Sequence, residues 1–96
     1  MSQSEVFKFR LYVAGDTQNS MQALANLTKI CQTYLADSHE IEVLDVFKEP
    51  GLTLQEGIFM TPTLVKLSPS PMIKIVGTLS QTQIMLQTLG LDARAA

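Results

Sequence analysis

The chain has one cysteine, one histidine and no tryptophan among its 96 residues. A lone thiol, Cys31, excludes an internal disulfide framework, and nothing points to secretion. One histidine, His39, and a distant cysteine make a poor metal site, so neither metal nor cofactor is expected. No apolar run approaches the ~20 residues that a membrane span needs. The opening stretch, Met1 to Glu5, lacks the basic and apolar regions of a signal peptide. No charge run is longer than a pair, and the net charge is −2, which argues against a bulk pull on nucleic acid. The five glycines are scattered singly, so there is no phosphate-binding glycine loop. The expectation is one cytoplasmic domain over residues 1–96, with a modest core.

What is present is organised around Phe59-Met60-Thr61-Pro62-Thr63-Leu64-Val65. Pro62 lacks a ladder donor and biases Thr61 to an extended conformation, so a strand is predicted to start just after it. Upstream, Val6 to Val13 alternates as a half-buried strand, with Phe7, Phe9, Leu11 and Val13 on one side. Gly15 breaks it, and Asp16 or Thr17 can cap a helix from about Gln18 to Ala36. Met21, Leu24, Leu27, Ile30, Cys31, Tyr34 and Leu35 give that helix one apolar stripe. Glu40 to Phe47 alternates again, apolar on both faces in its second half, which predicts a strand inside a sheet. Strand, helix and strand with short links predict a right-handed parallel βαβ unit.

Lys48-Glu49-Pro50-Gly51 is a turn signal, and Leu52 to Phe59 mixes helix and strand signals. Leu54 and Ile58 would share a face if that stretch were helical. After the Thr-Pro-Thr strand, Pro69 and Pro71 punctuate a linker, and Met72 to Val76 is predicted as another strand. Gly77-Thr78 breaks it. A last helix starts near Leu79-Ser80, with Ile84, Leu86, Leu89 and Leu91 available for packing and Gly90 weakening its end. Asp92 to Ala96 is expected to fray. The order β-α-β-α-β-β-α, with Thr-Pro before the third strand, is the thioredoxin-like arrangement.

A thioredoxin-type oxidoreductase needs two thiols in the turn after its first strand. Here that turn reads Gly15-Asp16-Thr17-Gln18-Asn19-Ser20. Cys31 falls on the apolar stripe and is predicted to be a buried core thiol. His39 is expected to be a solvated loop residue, and Asp45 to be satisfied by a backbone N–H. An enzyme is not expected, and a redox protein of this fold is the least favoured alternative.

The chain resembles the KaiB family of small clock proteins over nearly its whole length. Leu11-Tyr12-Val13-Ala14-Gly15, Asn19-Ser20, Ala23-Leu24, Leu44-Asp45-Val46 and Thr61-Pro62-Thr63-Leu64 carry the resemblance. Lys66, the Pro69/Pro71 corner, Ile75-Val76-Gly77 and Leu79-Ser80 extend it. The N-terminal sensory domain of the histidine kinase SasA is a neighbour, so an interaction domain of a histidine kinase is the alternative. The pattern differs at Gly57 and Ile73, where the family usually has basic residues, and at Glu42, near which it often has a lysine. Thr78 and the stretch Thr88-Leu89-Gly90 also depart from it, which marks a divergent member.

The resemblance implies a non-enzymatic regulator that docks on the N-terminal ATPase ring of a KaiC-like protein. KaiA-like or histidine-kinase clock partners follow from the same resemblance. It also implies fold switching: a resting homotetramer or dimer would hold an alternative arrangement of the C-terminal half. Lys48, Lys66 and Lys74 are the expected partner-binding residues. Pro62, Pro69, Pro71, Gly77, Thr88 and Gly90 are the expected fold-switch positions, and X-Pro isomerisation would make the exchange slow.

Overall fold

A computed structural model of the protein describes residues 5–91. The fraying expected of Asp92 to Ala96 lies outside the described residues. The elements run β1 (Phe7–Val13), α1 (Gln18–Tyr34), β2 (His39–Asp45), α2 (Pro50–Gln55), β3 (Thr63–Ser68), β4 (Ile73–Val76) and α3 (Thr82–Leu89). The order is the one the residues predict, and the fold is mixed α/β and thioredoxin-like.

The sheet has the strand order β2-β1-β3-β4. β1 pairs with β2 in parallel and with β3 antiparallel, and β4 pairs antiparallel with β3. The β1–β3 register shifts between Lys8 and Phe9, which pair with Ser68 and Lys66, so Leu67 forms a bulge. The strand predicted inside the sheet is corrected here: β2 is an edge strand, and the interior places belong to β1 and β3. The apolar character of Val43, Leu44 and Val46 had suggested a strand paired on both edges. It instead reflects the end of β2 meeting helices on both faces. Leu44 and Val46 pack in the cluster under α2, and Val43 lines a groove on the α1 side with Met21 and Leu24.

Alternation splits β1 between two cores. Phe7, Phe9, Leu11 and Val13 join Leu64 under α1 and α3, where Ala23, Leu27, Ile30, Cys31, Met85, Leu86 and Leu89 cover them. Tyr12 faces the other side, with Leu44, Ile58 and Val65 near α2. The stripe of α1 is turned slightly from the predicted one: Ser20 and Ala23 are buried, and Met21 is exposed. Ile84 is likewise exposed on α3, while Leu86, Leu89 and Leu91 pack as expected. In both helices an apolar residue at the margin of the stripe has given way to its neighbour.

Thr17 is the N-cap of α1, with Oγ1 accepting from the Ser20 N–H at 3.4 Å. Pro50 sits in the first turn of α2, where its missing N–H costs nothing. α2 stops before Gly57, so Ile58 lies beyond it and packs inward, while Leu54 faces solvent rather than sharing a face with Ile58. Gly90 ends α3 in a left-handed conformation with φ 75°, acting as a stop signal. The Thr61–Pro62, Ser68–Pro69 and Ser70–Pro71 bonds are cis.

Candidate functional site

The turn after β1 is built for structure. The Thr17 hydroxyl donates to Ser20 Oγ at 2.8 Å, and Ser20 Oγ also accepts from the Ala14 N–H at 3.2 Å. These bonds satisfy the buried Ser20 and close the entry to α1. Asp45 accepts from the Phe47 N–H at 2.9 Å and from the Gly15 N–H at 3.4 Å, as predicted for a satisfied acid. A groove of about 580 Å³ runs beside this turn, with Asp16, Glu42, Asp45 and Glu49 among its lining residues. Among the described residues no group of three or more His, Cys, Asp or Glu is placed to hold a metal ion.

Cys31 is fully buried in the core, and burial pushes its thiol up to about 12. The thiolate needed for redox attack is therefore suppressed at neutral pH. His39 is not the loop residue that was predicted. It opens β2, is half-buried, and its Nδ1–H donates to the Leu35 carbonyl at 2.6 Å, closing the end of α1.

A different surface stands out on the other face of the sheet. Phe47 is 74% exposed, Leu54 73%, Phe59 85% and Met60 63%. All four fall on or beside α2, within residues 47–60. Four exposed large apolar side chains this close along the chain make the region around α2 a candidate contact surface. Two of the three predicted lysines bracket it. Lys48 is exposed in the turn that leads into α2, and Lys74 on β4 reaches the other end, where Nζ donates to the Glu56 carbonyl at 2.7 Å.

Lys66 is not brought to this surface. It lies on the α3 side of β3, 4% exposed, with Nζ 5.7 Å from the centroid of the Phe7 ring. The predicted fold-switch positions are spread along the C-terminal half. Pro62 is buried before β3, Pro69 and Pro71 lie between β3 and β4, and Gly77 follows β4. Thr88 is exposed in the last turn of α3, and Gly90 caps that helix.

Sequence reasoning missed Phe47, Phe59 and Met60 as exposed residues. Phe47 continued the alternation of β2, but the strand ends at Asp45. The available signal was Asp45 itself, whose side chain holds the Phe47 N–H and turns the chain away from the sheet. On the open part of the same face, Arg10 Nε donates to Glu42 Oε1 at 2.8 Å, and its guanidinium donates to the Tyr12 hydroxyl at 3.4 Å. The bond to Tyr12, and then that to Glu42, hold Arg10 still further on the charged side.

The geometry defines a thioredoxin-like domain without the thiol pair of thioredoxins, carrying an exposed apolar surface around its short second helix. Likeness to solved structures agrees with that fold. The N-terminal domain of SasA from Synechococcus elongatus superimposes with a TM-score of 0.74 at 20% identity, covering 94% of this chain and 89% of that one. Chloroplastic thioredoxin z also gives 0.74 at 20% identity, over 93% and 80% of the two chains.

The chain belongs to the KaiB family: the KaiB domain model matches residues 10–91. It is 43% identical over 83 residues to the circadian clock protein KaiB3 of Synechocystis sp., covering 86% of this chain and 79% of the relative. It is 42% identical over 92 residues to the circadian clock oscillator protein KaiB of Prochlorococcus marinus, covering 96% and 77%. Among the described residues no helix is long and apolar enough to cross a membrane.

Proposed function

We propose that the protein is a non-enzymatic regulatory binding protein of a KaiC-type ATPase timing system, acting in the cytoplasm. It docks on the N-terminal ATPase ring of a KaiC-like protein and there recruits or displaces KaiA-like or histidine-kinase clock partners. The observation that carries this reading is the surface of residues 47–60. Phe47, Leu54, Phe59 and Met60 supply its apolar centre, and Lys48 and Lys74 stand at its margins. An apolar centre with charges at the rim is the usual anatomy of a contact made between folded partners. The identity of about two-fifths to circadian KaiB proteins favours this over the kinase-domain reading, whose structural match is at 20%.

The docking form is the thioredoxin-like fold, and a resting homotetramer or dimer holds the C-terminal half in another arrangement. Residues 52–59 mix helix and strand signals and Gly90 weakens the end of the last helix, which supports a C-terminal half with two packings. Only the minor conformer would bind, so observed affinity is lowered by its fraction.

The test is binding of the purified protein to the ATPase ring of a KaiC-like protein from the same host, followed by biolayer interferometry. Complex formation is expected, with an observed rate that levels off as ring concentration rises. Leu54→Asp with Phe59→Asp should abolish it. Charge reversal of Lys48 and Lys74 should slow association and flatten its salt dependence. Absence of a complex at micromolar ring, or binding indifferent to the double aspartate variant, would overturn the reading.

A further inference from the structure

The α3 side of the sheet holds a feature that docking around α2 does not use. Lys66 is nearly enclosed, yet among the described residues no carboxylate lies within ion-pair distance of its ammonium. A buried cation is costly unless it is paired. The face of Phe7, with its ring centroid 5.7 Å away, offsets part of that cost. The end of α3 does not need Lys66 as a cap. The Gly90 N–H already reaches the Leu86 and Gln87 carbonyls, and the Leu91 N–H donates to the Leu86 carbonyl at 2.7 Å.

Lys66 lines an open groove of about 350 Å³ between the β3–β4 turn and the last turn of α3. Ser70, Gln87 and Thr88 line the same groove and are exposed, so two hydroxyls and one amide share its wall with Lys66. Among the described residues Glu5 is the one carboxylate in that lining. A cation and neutral donors lining one groove, with Phe7 and Leu89 as its apolar part, fit an oxyanion that carries one or two charges.

We infer that this groove binds an oxyanion, a carboxylate or a phosphate, with Lys66 supplying the charge and Ser70, Thr88 and Gln87 the neutral donors. The site is on the opposite face from the α2 surface and does not depend on the docking reading. It gives Lys66 a binding role of its own. A charge-assisted bond in a partly enclosed place is the strong contact of the set, and the hydroxyls and amide orient the anion.

The experiment is an NMR titration of the isolated full-length protein at constant ionic strength. One arm adds inorganic phosphate, and the other an N-acetylated hexaglutamate peptide. Saturating shifts at the amides of Lys66, Ser70 and Thr88 are expected in at least one arm, with half-saturation in the millimolar range. Tighter response to the peptide assigns the groove to a partner's acidic side chains, and tighter response to phosphate assigns it to a free anion. Lys66→Met should weaken binding about tenfold or more, and Lys66→Arg should retain most of it. Lys74→Met, on the other face, should leave it unchanged. If Lys66→Met does not fold, Ser70→Ala with Thr88→Ala reads the same site through a measurable loss of affinity. Non-saturating shifts in both arms, or binding undiminished in the lysine or the double alanine variant, would overturn the inference. None of these outcomes depends on whether the ATPase ring binds.

Discussion

The ammonium of Lys74 lies 2.7 Å from the backbone carbonyl of Glu56, so the edge strand β4 holds the end of the six-residue helix α2. A helix this short has little stability of its own. Its position depends on Leu52 and Ile58 packing beneath it and on this one bond from outside. Lys74→Met is expected to cost about 1 kcal/mol or less, since the pair is exposed to solvent. Urea denaturation reads the total. Hydrogen exchange should show faster opening at Gly57 and Ile58, whose N–H groups bond back to Leu54 and Thr53, with β1 unaffected.

Gly57 follows that helix with φ 70°, a conformation that L side chains adopt at a cost. A Cβ there would stand 3.7 Å from the Lys74 ammonium, an ordinary contact, so the cost falls on the backbone alone. Gly57→Ala is expected to destabilise by about 1 kcal/mol. A thermal melt that does not move would mean that the α2–β3 connection relaxes freely. A basic side chain at this position would carry the same backbone strain in this conformation.

Thr17 closes the start of α1 with two bonds to Ser20. Thr17→Ala is expected to cost roughly 1 kcal/mol, and Thr17→Ser much less, because the oxygen that caps is kept. Chemical denaturation of the two variants side by side checks the order.

Burial holds the Cys31 thiol neutral up to about 12. Native protein at pH 8 should therefore react with a thiol reagent only as fast as the core opens, and denaturant should raise the labelling rate. The sign of the pH dependence follows from the raised value. The unfolded thiol ionises near pH ~8.5, so its contribution to stability is complete below that point. The contribution is lost as pH rises from there toward 12. Alanine in place of Cys31 should flatten that slope while lowering stability overall, and an unchanged slope would exclude the thiol as its source.

The alternation of β1, the stripe of α1 and the Thr61-Pro62 boundary made the order of elements legible, because each rests on local periodicity or backbone chemistry. The edge position of β2 was not legible. An apolar residue reports what covers a strand's face, whereas sheet order depends on which distant strand pairs with each edge. Met21 and Ile84 were misplaced for a related reason. A helical stripe is read to within one residue, and the sheet beneath decides the rotation. The lysines were visible as charges, but their separation to two faces follows from the register of β3, where Lys66 pairs with Phe9 and Val65 pairs with Lys74.

The central place of β1 has a consequence for the order in which the protein can be completed on the ribosome. β1 is made before the other described elements, and α1 and β2 follow within the next 32 residues, giving it one partner edge and one helix. Its other edge stays unpaired until β3 has emerged. Its apolar face stays half roofed until α3, the last element described, is released. Domains generally assemble as units during synthesis, at about 5–20 residues per second. Here the first described strand waits for the last described helix. Throughout that interval the nascent chain presents Phe9 and Leu11 beside an open strand edge, which is where a chaperone would find it.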